Sequence, residues 1–106
     1  MNNVNVYVTH NNNQRLDAAE RFLQGNGKMY NFTEGRKNIF HFDTLIREID
    51  TVMKTMSPND YLLIAGNLVI SSIVTAYVYD QFKRVKCLVW NYNEQEYIEE
   101  VLNFNQ

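Results

Sequence analysis

His10, the Gly66-Asn67 dipeptide and the Arg36-Lys37 pair are the residues whose types could do chemistry together in this chain. A histidine at a strand end can give or take a proton near neutral pH. A Gly-Asn turn that opens a helix presents backbone N–H groups with no partner within the helix, and the helix dipole there favours an anion. Arg36 and Lys37 would supply countercharge. Brought to one sheet edge with Asn11 and Asn91, these groups would hold a small anion such as a nucleotide phosphate. Each also has a plainer reading: Gly66 permits a tight turn, Asn67 caps a helix, His10 is an exposed loop histidine, and His41 is a turn residue.

The elements that must position them are legible from periodicity. Val4, Val6 and Val8 alternate with polar or aromatic neighbours, so residues 3–9 read as a strand ending at Thr9-His10, with His10 to Asn13 as a polar turn. Leu16, Ala19, Phe22 and Leu23 predict a short helix over 14–23, stopped by Gly25-Asn26-Gly27. Lys28 to Phe32 is a short strand whose direction the sequence leaves open, and Thr33 to Asn38 is a polar loop. Phe42, Leu45, Ile46, Ile49, Val52, Met53 and Met56 keep a 3.6-residue period, with Asp43 or Thr44 as the cap and Ser57-Pro58 as the stop.

From Asp60 to Asn91 the chain reads as a βαβ unit: an apolar strand over Tyr61 to Ala65, the Gly66-Asn67 turn, a helix apolar around most of its circumference, and a strand over Val85 to Trp90. Such a helix is expected to be a core element, too apolar to face water. Asn91 to Gln95 is a turn leading to an antiparallel edge strand, Glu96 to Leu102. The expected fold is α/β: one domain over 1–106, a Rossmann-like three-layer or two-layer sandwich with a mainly parallel sheet and a C-terminal antiparallel hairpin strand.

Several chemistries lack their residues. The chain has no GxGxxG and no GxxxxGK[ST]. Two histidines and one cysteine, Cys87, give no metal spacing and no disulfide framework. Glu99 and Glu100 are adjacent on a strand and point to opposite faces, so they cannot act as a catalytic pair. Asp17 and Glu20 could share a helical face and read as solvated surface. Ser71 and Ser72 lie inside the apolar helix without a nucleophile-elbow context. No cofactor or metal is implied.

The net charge is −2, from 10 basic and 12 acidic residues spread along the chain, which disfavours duplex nucleic acid as a partner. Lys83, Arg84 and Lys86 sit where a helix ends and suit its negative pole. No apolar window approaches a membrane span, and the N-terminal residues do not read as a signal peptide. The single cysteine fits a reducing compartment, so a soluble cytoplasmic protein is expected. At this length an edge strand or exposed aromatics could be hidden in a homodimer or higher homo-oligomer. Tyr79 and Tyr92 are the tyrosines expected to be exposed and available to a protein interface.

The order AAERF, NIF, LIREID, DYLLIAGN and RVKCLVWN, followed by a tyrosine-bearing hairpin strand, resembles small α/β proteins of tailed bacteriophages across nearly the whole chain. That resemblance implies a phage origin, with the host cell cytoplasm as the place of action, and a compact α/β fold. It implies no reaction. The expected function is therefore non-catalytic binding of a host protein or a nucleotide-like anionic ligand at the C-terminal edge of the sheet. The alternatives are a small phosphoester- or nucleotide-processing enzyme using His10 and the Gly66-Asn67 turn, and a virion or assembly component.

Overall fold

A computed structural model describes residues 4–11 and 16–104. The elements run β1 (Val6–Asn11), α1 (Asp17–Leu23), β2 (Met29–Glu34), α2 (Phe42–Met53), β3 (Tyr61–Leu63), α3 (Leu68–Phe82), β4 (Val85–Asn91) and β5 (Glu96–Leu102). They form one five-stranded sheet in the order β2-β1-β3-β4-β5. The first four strands are mutually parallel and β5 pairs antiparallel with β4. The direction left open by the sequence is thereby fixed: β2 runs parallel to β1, with Val6 opposite Met29 and Asn11 opposite Glu34.

Strict alternation sorts the side chains into two cores. Tyr7, Phe32 and Leu62 join Leu45 and Ile49 of α2 and Ile70, Val74 and Val78 of α3 on one face. Val6, Val8, Leu63 and Leu88 join Ala19 and Leu23 of α1 on the other. The fold is thus a three-layer α/β sandwich. β3 is buried on both faces, which is why it reads as an apolar run, whereas β1, whose alternation reads as a strand with one face in the core, is buried on both faces as well.

Element boundaries differ from the periodic reading where side chains intervene. β1 continues through His10 and Asn11, which lie in the ladder opposite Thr33 and Glu34 and not in a turn. The parts of the expected turn and helix at 12–15, and the expected strand start at 3, lie outside the described residues. β3 stops at Leu63, because the Ala65 N–H donates to the Thr9 hydroxyl, 2.8 Å away, instead of to a ladder carbonyl. Helix α2 starts after His41, which occupies the cap position without a side-chain bond, and ends at Met53, short of Met56. Phe42 and Ile46, one turn apart, fall at the margin of its apolar face and are half exposed.

Helix α3 is only partly a core element. Ile70, Ser71, Val74 and Val78 face the sheet, whereas Ser72 and Ala76 are exposed and Leu68 retains 81% of its surface. The reason is architectural. Two helices cover this face, and none among the described residues follows β5 to cover its far half. Ile64, Leu68, Ala76, Tyr79, Leu102 and Phe104 consequently line an open apolar groove. The helix, expected to be too apolar to face water, therefore buries one side and shows water the other.

Candidate functional site

The connection after β1 carries α1 to one face, and the connection after β3 carries α3 to the other. The carboxyl ends of β1 and β3 are therefore the point where the winding reverses, and in open α/β sheets such a crevice lies outside the strand ends. Here it is a cleft of about 630 Å³ lined by His10, Gly35, Arg36, Lys37, Gly66, Asn67 and Ile70. Five of the seven residues singled out from the sequence meet in it: His10, Arg36, Lys37, Gly66 and Asn67.

The floor is built by hydroxyls. Thr9, the last inward-facing residue of β1, donates to the Ala65 carbonyl at 2.7 Å and accepts from the Ala65 N–H. The buried Ser71 hydroxyl of α3 lies 3.0 Å from Thr9 and 2.9 Å from the same carbonyl. These bonds tie β1, the β3–α3 turn and the first turns of α3 into one unit. Gly66 then passes so close to β1, at φ +83°, that a Cβ would collide with the His10 carbonyl oxygen and lie 2.8 Å from His10 Cβ. Only glycine fits, for both reasons. Asn67 caps α3 by accepting from the Ile70 N–H at 3.1 Å. That bond uses one first-turn amide and leaves those of Leu68 and Val69 without an acceptor inside the helix.

His10 is 3% exposed, a strand residue and not the loop histidine expected. Its Nδ1 lies 2.6 Å from the Thr33 hydroxyl of β2, which fixes the plane of the ring. This partner was invisible in sequence, because it depends on the parallel pairing of His10 with Thr33. Arg36 and Lys37 follow β2 because that strand runs parallel and delivers its loop to the same edge. Lys37 Nζ lies 2.9 Å from Glu48 in a partly exposed pair. Such a pair contributes less than about 1 kcal/mol, so a ligand can share the ammonium at little cost. Arg36 is exposed and bonds to no described carboxylate. Among the described residues, no aspartate or glutamate lines the cleft.

Two expected members do not line it. Asn11 closes β1, where its carbonyl accepts from the Gly35 N–H at 3.0 Å. Asn91 spends its side-chain oxygen on the N–H groups of Asn93 and Glu94, pinning the β4–β5 turn. Of the two tyrosines, Tyr92 is 79% exposed, whereas Tyr79 is half buried, with its ring 5.2 Å from that of Phe104 and its hydroxyl accepting the Phe104 N–H.

A protein-family model described as Phage Pam3 gp32-like protein matches residues 4–104. The chain belongs to that family. The match spans every described element, from the start of β1 to the end of β5. No curated protein and no solved structure matches. Among the described residues no group of three His, Cys, Asp or Glu side chains could hold a metal ion, and no helix is long and apolar enough to cross a membrane.

Thr9, Ser71 and Thr33 are the residues that sequence reasoning missed. The signal for two of them existed. Alternation from Tyr7 turns Thr9 inward, and Ser71 stands one helical turn after Asn67 on the sheet-facing side. Hydroxyls at two such neighbouring core positions must find each other or a backbone group.

Proposed function

We propose that this phage protein works in the host cytoplasm by binding a small anionic, nucleotide-like ligand in the cleft between the ends of β1 and β3, without transforming it. One observation carries the reading. In a chain of net charge −2, Arg36, Lys37 and the opening of α3 converge on a cleft with no carboxylate among its described lining residues. A guanidinium there can grip two oxygens of a phosphate or carboxylate at once, and an unpaired one gives up no existing bond to do so. The floor is preorganised by the Thr9–Ala65–Ser71 bonds, so little ordering cost falls on binding.

His10 supports binding over turnover. A catalytic imidazole is ordinarily oriented by a carboxylate that stabilises its protonated form, whereas here a threonine hydroxyl holds Nδ1. The ring serves the cleft as a rigid wall beneath Gly66. Isothermal titration with inorganic phosphate and pyrophosphate tests the proposal. Both should bind, with affinity falling as salt rises, and Arg36→Gln should weaken binding at least about tenfold, as expected for loss of a charge-assisted hydrogen bond. Undiminished binding by Arg36→Gln, or no binding of either anion by the unaltered protein, would sink it.

A further inference from the structure

Beyond the anion cleft, the same sheet edge carries an aromatic slot. Trp90 of β4 meets Tyr97 of β5 at 5.1 Å between ring centroids and 69° between planes, and Tyr92 of the following turn at 6.4 Å and 90°. The rings face the side of the sheet covered by α1, whose Asp17 and Arg21 close the opposite wall of a slot of about 580 Å³. A smaller hollow shares Trp90 and Tyr97 with this slot and reaches back to Ala65, the residue before Gly66 of the cleft. Cleft, hollow and slot thus follow one another along one edge of the sheet, past the carboxyl ends of β1, β3 and β4 and the amino end of the antiparallel β5. From the β1/β3 crevice to the β4/β5 pair is two strand spacings, about 10 Å.

The lining decides what the slot takes. Three rings alone would suit a quaternary ammonium group. Arg21 in the same wall repels a cation, and Asp17 repels an anion. A neutral planar ring satisfies both, stacking on the aromatic faces while its edge donates to the Asp17 carboxylate and accepts from the Arg21 guanidinium. Tyr92, 79% exposed on a turn, is placed to close over such a ring.

We infer that the ligand is a nucleoside phosphate, its phosphate in the β1/β3 cleft and its base in the slot formed by Trp90, Tyr92 and Tyr97. This rests on the proposal that the cleft binds an anion and names the class of molecule. The sugar would cross the hollow beside Ala65, the one stretch of the path lined mainly by apolar side chains.

Trp90 is the single tryptophan of the chain, so its fluorescence reports occupancy of the slot directly. The four ribonucleoside monophosphates, their nucleosides and ribose 5-phosphate are titrated against the full chain. At least one monophosphate should quench Trp90 and bind about tenfold or more tightly than ribose 5-phosphate, which should compete with it. Tyr92→Ala, an exposed turn substitution that leaves the core intact, should cost the nucleotide about tenfold and leave ribose 5-phosphate unchanged. Trp90→Phe, with binding read by calorimetry, should weaken the nucleotide in the same direction. If ribose 5-phosphate binds as tightly as every nucleotide, the base slot is wrong and the anion cleft stands. If a nucleoside binds as tightly as its phosphate, the joined site is wrong, and the anion cleft then stands or falls on whether ribose 5-phosphate binds. If neither ribose 5-phosphate nor any nucleotide binds, both fall.

Discussion

Gly66 and Gly25 share a left-handed backbone, φ +83° and +77°, yet differ in surroundings, and that contrast measures how tightly the cleft floor is built. An alanine at either position must adopt a conformation that costs an L-residue about 1–2 kcal/mol. At Gly25 nothing lies within 4 Å of the new methyl group, so the cost ends there. At Gly66 the methyl would meet the His10 carbonyl oxygen, with His10 Cβ and Cδ2 both at 2.8 Å. The nearest obstacles are backbone and the root of a buried side chain, which cannot swing away. The turn must retreat from β1 instead, and retreat loosens the bonds between Ala65 and Thr9, each worth about 1 kcal/mol. Gly66→Ala should therefore lose about 2 kcal/mol more than Gly25→Ala, roughly a thirtyfold difference in the folded-to-unfolded ratio. Urea unfolding followed by Trp90 fluorescence reads both. Equal losses, within about 0.5 kcal/mol, would show that the turn is free to move and that the floor is not the rigid unit described.

Two further substitutions and a pH series probe the same interior. Ser71→Ala removes a buried hydroxyl bonded to the Ala65 carbonyl and to Thr9, and should cost about 1–2 kcal/mol, while Ser72→Ala, which loses only an exposed bond to the Leu68 carbonyl, should stay within about 0.5 kcal/mol. Comparable urea midpoints for the two would refute the floor network. On the alkaline side, burial raises the pKa values of Cys87, Tyr7, Tyr61 and Tyr97, with the Glu99 carboxylate adding to the rise at Tyr61. Each group holds its proton more tightly folded than unfolded, so its contribution is complete below the ordinary thiol and phenol values and is lost as pH climbs through the raised ones. The urea midpoint should fall from about pH 9 to about pH 11, and a flat or rising midpoint over that window would contradict it.

Element order and the α/β class were legible because β3 is buried on both faces and α2 on one, which writes periodicity directly into residue type, while the choice between three layers and two was left to the structure. Boundaries were less legible where a side chain replaced a backbone partner, as Thr9 does for Ala65. The cleft was legible in outline because Gly66-Asn67 marks a strand-to-helix turn, and topology then decides the rest. Once β2 is parallel, Arg36 and Lys37 must reach the same edge as His10. The parallel direction itself was not legible, since Lys28 to Phe32 alternates equally well in either direction. Burial of His10 followed from that pairing and could not precede it. Asn91 reads as a site residue from its position at a strand end, yet its short amide is consumed within its own turn, a choice that depends on hairpin geometry. The exposed stripe Leu68-Ser72-Ala76 defeats composition altogether: it follows from there being no covering helix, among the described residues, on that half of the sheet.

The opposite edge of the sheet shows what a purely structural polar cluster looks like in this chain. Asp60, 4% exposed, accepts the Asn5 N–H on one oxygen at 2.9 Å and the Ser57 N–H on the other at 2.8 Å. Both oxygens of the carboxylate serve the backbone, the Ser57-Pro58-Asn59 turn is tied to the start of β1, and the local charge is answered by amides that would otherwise be orphaned. The carboxyl-end cluster is arranged the other way round. Thr9 and Ser71 satisfy one another and Ala65 below the surface, whereas above them Arg36 meets no described carboxylate and Asn67 and Ile70 at the start of α3 line the cleft. One edge consumes its hydrogen-bonding capacity in holding the fold together. The other builds a fixed floor from hydroxyls and leaves Arg36 exposed without a described carboxylate partner. That difference, more than any single residue, supports the binding site proposed at the ends of β1 and β3.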